Sequence, residues 1–220
     1  MLAMDIELAR FNMVEQQIRN WEVLDRRILD LVALAPREDY VPAKYRNLAF
    51  ADMNLPIGNG QVMMQPKIEA RLLQELEIEP DDNILEIGTG SGYLTSLFAS
   101  LGKHVYSVEF FPDFAHTALE KLAHHHHMNV TLNVGDAAAG WDQHGPYDVI
   151  ALTGSVPVLP EAFKNSLAPG GRLFAIVGTS PAMEALLIRR LDDDSFNEQS
   201  LFETDLPALT NAKTPARFVF

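Results

Sequence analysis

Residues Asn83 to Leu101 constrain this chain more than any other stretch. An apolar run, Asn83-Ile-Leu-Glu-Ile87, meets glycines at 88, 90 and 92, and Leu94 to Leu101 then reads as a helix. A strand turning into a helix over glycines is the opening unit of a parallel α/β sheet. Strand and helix signals alternate from about Ile78 to Leu191. Lys103–Glu109 reads as a second strand, Val130–Val134 as a third and Tyr147–Leu152 as a fourth. Gly171–Val177 reads as a fifth, after the turn signal Pro169-Gly170-Gly171. The expectation is a doubly wound α/β fold with ligands bound beyond the carboxyl ends of the strands. Ser200–Leu206 and Ala216–Phe220 read as two late strands with no full helix between them. That hairpin-like ending places an antiparallel strand in the sheet.

The glycine spacing bears on the ligand. Dinucleotide sites favour Gly-x-Gly-x-x-Gly, with a pyrophosphate on the helix N-terminus. Here the third glycine comes one residue early, and a carboxylate, Glu86, precedes the turn. An acid there repels a pyrophosphate and suits a cationic ligand with an amino group. S-adenosylmethionine is such a ligand, and the pattern resembles the first motif of the methyltransferases that use it. A dinucleotide site and a plain structural turn are the competing readings. The cofactor-binding candidates in this stretch are Glu86, Ile87, Gly88, Thr89, Gly90 and Gly92. Glu109 lies about 20 residues past the turn, where a carboxylate accepts ribose hydroxyls; a solvated strand-end charge is the alternative. Asp136, beside Ala137, is placed to accept from an adenine amino group, and a turn aspartate is its alternative.

Composition bounds the rest. The 220 residues suit one domain: a helical cover over 1–60 and a cofactor-binding α/β core over 61–220. Phe11, Val14, Ile18 and Trp21 recur at helical spacing, as do Leu24, Ile28 and Leu31 before Pro36. These two helices read as core-packing cover. No apolar run reaches the length of a membrane span, and the N-terminus does not read as a signal peptide. The absence of cysteine excludes disulfides and thiolate chemistry and fits a cytoplasmic protein. A net charge of −13 opposes nucleic-acid binding, and Arg26-Arg27 and Arg189-Arg190 read as solvated faces. The four histidines His124 to His127 read as an exposed helix-to-strand connection, with adventitious metal binding as the alternative, and no metal centre is expected. Trp141 and Pro146 read as shaping the approach to the fourth strand.

Several segments together carry a family resemblance. Met13-Val-Glu-Gln-Gln-Ile-Arg19, Ala35-Pro-Arg-Glu-Asp-Tyr-Val-Pro42 and Ala51-Asp-Met-Asn-Leu-Pro-Ile-Gly-Asn-Gly-Gln61 resemble the protein-L-isoaspartate O-methyltransferases. Gln65-Pro66, Glu86 to Tyr93, Gly135-Asp136, Gly140-Trp141 and Pro215-Ala-Arg-Phe-Val219 follow in the same order. The resemblance implies S-adenosylmethionine as cofactor and S-adenosylhomocysteine as product. It also implies a seven-stranded, mostly parallel sheet with its last strand antiparallel, and a protein or peptide substrate. In such a family a stray isoaspartyl carboxylate is methylated, and the ester cyclises to a succinimide that reopens as aspartate. One departure stands out. Where the family carries Thr-Ile-Ser ahead of Gln-Pro, this chain has Val62-Met63-Met64, with Met64 at the position of the family's active-site serine. A thioether donates no hydrogen bond. Val62, Met63, Met64, Gln65 and Pro66 are therefore substrate-side candidates, and no catalytic residue is assigned. Thr153, Gly154 and Ser155 are candidates to supply the lost hydroxyl. A relative with weak or lost repair activity, acting on another acceptor or as a sensor, is the alternative.

Overall fold

The computed structural model describes residues 5–192 and 195–214. Asp5 caps α1 (Ile6–Asn12), accepting from the Leu8 N–H at 3.1 Å. The helix then widens into a π turn over Met13–Ile18 and tightens to 3-10 over Arg19–Trp21. This change of pitch breaks the expected stripe. Val14 and Ile18 are buried, whereas Phe11 is 61% exposed. Asp25 caps α2 (Arg26–Leu34). Leu24 lies ahead of that cap, outside the helical register, and is exposed too. α3 (Arg37–Tyr40), a 3-10 turn (Ala43–Leu48) and the antiparallel hairpin β1 (Leu55–Gly58) and β2 (Gln61–Met63) follow. Pro66 then opens α4 (Pro66–Leu76), where its missing N–H costs nothing.

The remaining elements build the sheet. They are β3 (Asn83–Ile87), α5 (Tyr93–Leu101), β4 (His104–Glu109), α6 (Pro112–His124), β5 (Val130–Val134), β6 (Tyr147–Val156), α7 (Glu161–Asn165), β7 (Leu167–Thr179), β8 (Ala182–Arg190) and β9 (Phe196–Thr204). The seven strands lie in the order β5-β4-β3-β6-β7-β8-β9. Within this order β3 to β7 pair parallel with one another. The order reverses beside β3, so the crevice at its carboxyl end is the expected ligand site. Alternation along the strands fills both faces. Ile84, Val149, Ala151, Phe174 and Ile176 pack toward the N-terminal helices, while Leu85, Ile87, Ile150, Leu152 and Leu173 pack on the opposite face. Among the described residues no helix is long and apolar enough to cross a membrane.

The antiparallel ending is present, built from different residues than expected. β8 pairs antiparallel with β7 across a two-residue turn, Thr179 opposite Ala182, and β9 pairs antiparallel with β8. The strand reversed against the parallel set is thus the penultimate one. The expected strand at Ser200–Leu206 corresponds to β9, and Ala216–Phe220 lies outside the described residues. β8, Ala-Met-Glu-Ala-Leu-Leu-Ile-Arg-Arg, consists largely of strong helix formers. Its strand state comes from burial between two partners, with Ala185 and Ile188 fully buried.

The paired arginines are not simply solvated. Arg27 donates to the Ile78 carbonyl at 2.8 Å, and Arg190 donates to the Leu167 carbonyl at 2.5 Å. Arg189 pairs with Glu77 at 2.9 Å. Arg172 completes this clamp on the C-terminus of α4. It donates to the Leu76 carbonyl (2.9 Å), the Glu77 carbonyl (2.7 Å) and Asp82 (2.6 Å). These carbonyls are the orphan acceptors of a helix end. Arg172→Ala is expected to lower unfolding stability by about 2–3 kcal/mol in a denaturant titration, because partly buried acceptors lose a charged donor.

Candidate functional site

The carboxyl ends of β3, β4, β5 and β6 open into a cleft. Ile87, Gly88, Gly90, Glu109, Asp136, Ala137 and Thr153 line it. A second cavity of about 300 Å³ adjoins it, lined by Met63, Met64, Glu69, Glu86, Thr89 and Leu94. Val62, Gly88, Gly90 and Thr153 line both, so the two adjoin across the glycine turn. The hairpin β1–β2 roofs the larger part through Ile57, Gln61 and Val62.

The glycines have separate tasks. Gly88 has φ +100°, and a Cβ there would overlap Thr153 Oγ1. Its bare backbone lets the β6 end approach the turn: Thr153 Oγ1 lies 2.6 Å from the Gly88 carbonyl and 2.9 Å from that of Ile87. Gly92 has φ +84° and sits 3.0 Å, measured from an added Cβ, from Ala118 Cβ. It packs α5 against α6 and lines neither cavity. Gln65 and Pro66 likewise line neither; they form the N-terminus of α4.

Glu86 is fully buried on the helical-extension side of β3. One carboxylate oxygen accepts from Thr95 Oγ1 at 2.6 Å and from Ser107 Oγ at 2.7 Å. Ser107, having given its proton, accepts from Thr89 at 2.6 Å. The other oxygen, Oε1, has no hydrogen-bond partner. Burial, opposed by the two hydroxyl donors, raises the Glu86 carboxyl to about 8. An orphaned buried acceptor bordering the cavity is a site for a ligand cation.

Glu109 is 4% exposed, and each of its oxygens accepts one backbone N–H: Gly90 at 2.8 Å and Phe111 at 2.9 Å. Burial raises its carboxyl while those donors pull it back. Asp136 is exposed at the cleft mouth, accepting from the Ala138 N–H (3.1 Å) and from Asn211 Nδ2 (2.8 Å). Val108, Phe110, Phe111 and Phe114 add an apolar wall that the sequence reading did not single out. Their signal was the Phe110-Phe111 pair directly after the second acidic strand end.

The acceptor-side segment is apolar. Met63 and Met64 are each 4% exposed. Of the proposed hydroxyl donors, Thr153 reaches both cavities with its proton committed to the turn carbonyls. Ser155 is fully buried and donates to the Leu206 carbonyl at 2.7 Å, and Gly154 borders the larger cleft only. The histidine run does join α6 to β5, but it is not merely solvated. His125 stacks on Tyr40 with centroids 5.4 Å apart and lies 3.4 Å from Asp39. Among the described residues no cluster of three or more metal-ligating side chains exists. Trp141 lies against Gly135, beside the cleft.

The family model described as protein-L-isoaspartate(D-aspartate) O-methyltransferase matches residues 9–213. A protein-L-isoaspartate O-methyltransferase of Protochlamydia amoebophila is 39% identical over 190 residues, 86% of this chain and 90% of that protein. One from Trichlorobacter lovleyi is 37% identical over 196 residues, 89% of this chain and 90% of that protein. Among solved structures, a protein-L-isoaspartate O-methyltransferase superposes with a TM-score of 0.77 at 23% identity, covering 92% of this chain and 66% of its own. A Plasmodium falciparum protein described as a β-aspartate methyltransferase, in complex with S-adenosyl-L-homocysteine, also superposes at 0.77. It is 18% identical and covers 94% of this chain and 99% of its own. Both likenesses concern the fold.

Proposed function

The chain belongs to the protein-L-isoaspartate(D-aspartate) O-methyltransferase family, and from that premise we propose that it methylates an isoaspartyl carboxylate of a protein or peptide with S-adenosylmethionine. The observation that carries this reading is the pair of adjoining cavities around the glycine turn, one lined by the buried Glu109 and the other by the buried Glu86. When bound, S-adenosylmethionine supplies a methyl group on a cationic sulfur. The orphaned Glu86 Oε1 answers the ammonium. Glu109 retains lone pairs on both oxygens for the ribose hydroxyls, and Asp136 at the mouth accepts from the adenine amino group. Ile87, Val108 and the Phe110-Phe111 pair, which line the larger cleft, would flank the purine.

The residues at the smaller cavity need not move a proton. An acceptor carboxylate is ionised at neutral pH. Their task is to hold nucleophile and methyl about 3 Å apart and in line while keeping water out. Val62, Met63, Met64 and Leu94 provide the dry wall. None of these four is a donor, so the hydroxyls at this cavity come from the glycine turn, at Thr89 and Ser91, rather than from the acceptor-side segment; a slow enzyme or another acceptor is the second reading. A protein without cysteine, using a cytosolic cofactor, fits the cytoplasm.

The test is transfer of labelled methyl to an isoaspartyl peptide. Wild type is expected above a heat-killed control. The double variant Val62→Thr, Met64→Ser is expected to gain roughly 10- to 100-fold in kcat/KM, the worth of one positioning hydrogen bond of about 1–3 kcal/mol. No incorporation by either protein would rule out isoaspartate as the acceptor.

A further inference from the structure

Arg37 and Glu69 are buried charges for which the methyl-transfer reading has no use. Arg37 is fully buried and Glu69 is 3% exposed. The guanidinium uses all three nitrogens. Nε donates to the Ala49 carbonyl at 2.8 Å, Nη1 to the Glu69 carboxylate, and Nη2 to the Met64 carbonyl at 2.6 Å. Its plane also faces the Tyr93 ring, 4.7 Å from the centroid. One side chain therefore ties together the end of the helical cover, the acceptor-side segment, α4 and the first residue after the glycine turn.

A buried ion pair is a weak source of stability, since apolar residues of similar volume serve as well. What it provides is fixed geometry: a planar fork with directed donors. Here the fork is aimed at the backbone of Met64, whose side chain borders the smaller cavity together with Glu69 itself. We infer that Arg37 and Glu69 are positioning residues that hold the Met64 backbone in place and so set the acceptor wall relative to the methyl donor. This rests on the methyltransferase reading above. In a chain lacking the segment's hydroxyls, the position of the wall bears more of the task of aligning the acceptor.

The pair also makes the acceptor site sensitive to pH. The groups facing Glu69 are Arg37 from α3, Glu86 from β3 and Tyr93 from α5; Glu38 and Arg10, themselves paired at 2.6 Å, stand behind Arg37. Burial raises the Glu69 carboxyl to about 7 in spite of Arg37. Above that pH the carboxylate is charged and anchors the guanidinium; below it the anchor weakens.

The experiment uses the full chain at saturating S-adenosylmethionine with an isoaspartyl peptide. Glu69→Gln keeps the shape and removes the charge. The double variant Arg37→Met, Glu69→Leu replaces the pair with apolar groups and guards against a simple failure to fold. Both are expected to raise the acceptor KM by roughly tenfold, the worth of one charged hydrogen bond, and to lower kcat as alignment is lost, with S-adenosylhomocysteine affinity within about twofold of wild type. The wild-type acceptor KM is expected to rise as pH falls from 8 to 6, and that slope is expected to vanish in Glu69→Gln. An unchanged KM and slope, or a loss of cofactor affinity in parallel with KM, would overturn the inference. Should wild type transfer no methyl to the peptide, the functional reading fails separately. Hydrogen exchange of the 61–65 amides then decides the matter: faster exchange in both variants supports the anchor, and unchanged protection refutes it.

Discussion

Gly88→Ala is expected to weaken S-adenosylhomocysteine binding by at least roughly 100-fold while leaving a folded protein. Two costs combine. The residue sits at φ +100°, where an L side chain is strained by about 1–3 kcal/mol. The new Cβ also overlaps Thr153 Oγ1, with Leu209 Cδ2 3.6 Å away. Thr153 must swing off the Ile87 and Gly88 carbonyls, losing hydrogen bonds worth about 1–2 kcal/mol. Together these come to about 2–5 kcal/mol, and a turn that relieves them by leaving its ligand-binding shape forfeits affinity on the order of the roughly 3 kcal/mol that a 100-fold change represents. Both Gly88 and Thr153 line both cavities, so the disturbance falls where ligand and turn meet. Gly60→Ala is the matched control. Its φ is +74° but nothing lies within 4 Å of the added Cβ, so it is expected to cost stability and spare affinity. Calorimetry with S-adenosylhomocysteine, alongside a thermal melt of each variant, separates the two. Near-wild-type affinity for Gly88→Ala would remove the turn from the binding site.

What the sequence made legible follows from which physical signals are local. The parallel strands through β7 were readable because each is a β-branched, apolar run closed by a turn residue, and period-2 burial then fills both faces of the sheet. The turn itself was readable because its glycines answer a backbone need that no other residue meets as well. β8 was not readable, because its helix-forming residues become a strand only through pairing with β7 and β9. Phe11 misled because the helix changes pitch at Met13, and no sequence period marks a π turn. The acids at 86 and 109 were legible as ligand groups, but their environments were not. That Glu86 has one satisfied and one orphaned oxygen depends on Thr95 and Ser107, contributed by α5 and β4. The anchor on Met64 was equally hidden, since Arg37 lies 27 residues away in sequence.

Glu86→Gln is expected to make the free protein more stable and the binding site worse. The folded carboxyl titrates at about 8, against roughly 4.3 in an unfolded chain. Between those values the native state keeps a proton that the unfolded state has released. The stability from this group is therefore complete below about pH 4.3 and is lost as pH rises through about 8. Glutamine removes the ionisation, so the variant is expected to gain roughly 3–5 kcal/mol over wild type at pH 8.5 and only about 1 kcal/mol at pH 5. Glu69, raised to about 7, adds to the slope of both proteins, and its repulsion with Glu86 is part of what the difference between them reads. Binding moves the other way. The ammonium of S-adenosylhomocysteine needs a charged partner, and a buried one is worth about 1–3 kcal/mol, or roughly 10- to 100-fold in affinity. In wild type that partner must first ionise. Affinity is expected to strengthen from pH 6 to pH 8, with release of up to about one proton per ligand near pH 7. Glu86→Gln is expected to lose both the proton release and the excess pH dependence. Calorimetry in buffers of different ionisation enthalpy reads the proton count directly. A variant that binds as tightly as wild type, with the same proton release, would put the ammonium elsewhere. The buried acid before the glycine turn would then be a structural charge, and the electrostatic case for a cationic adenosine ligand at this site would lose its main support.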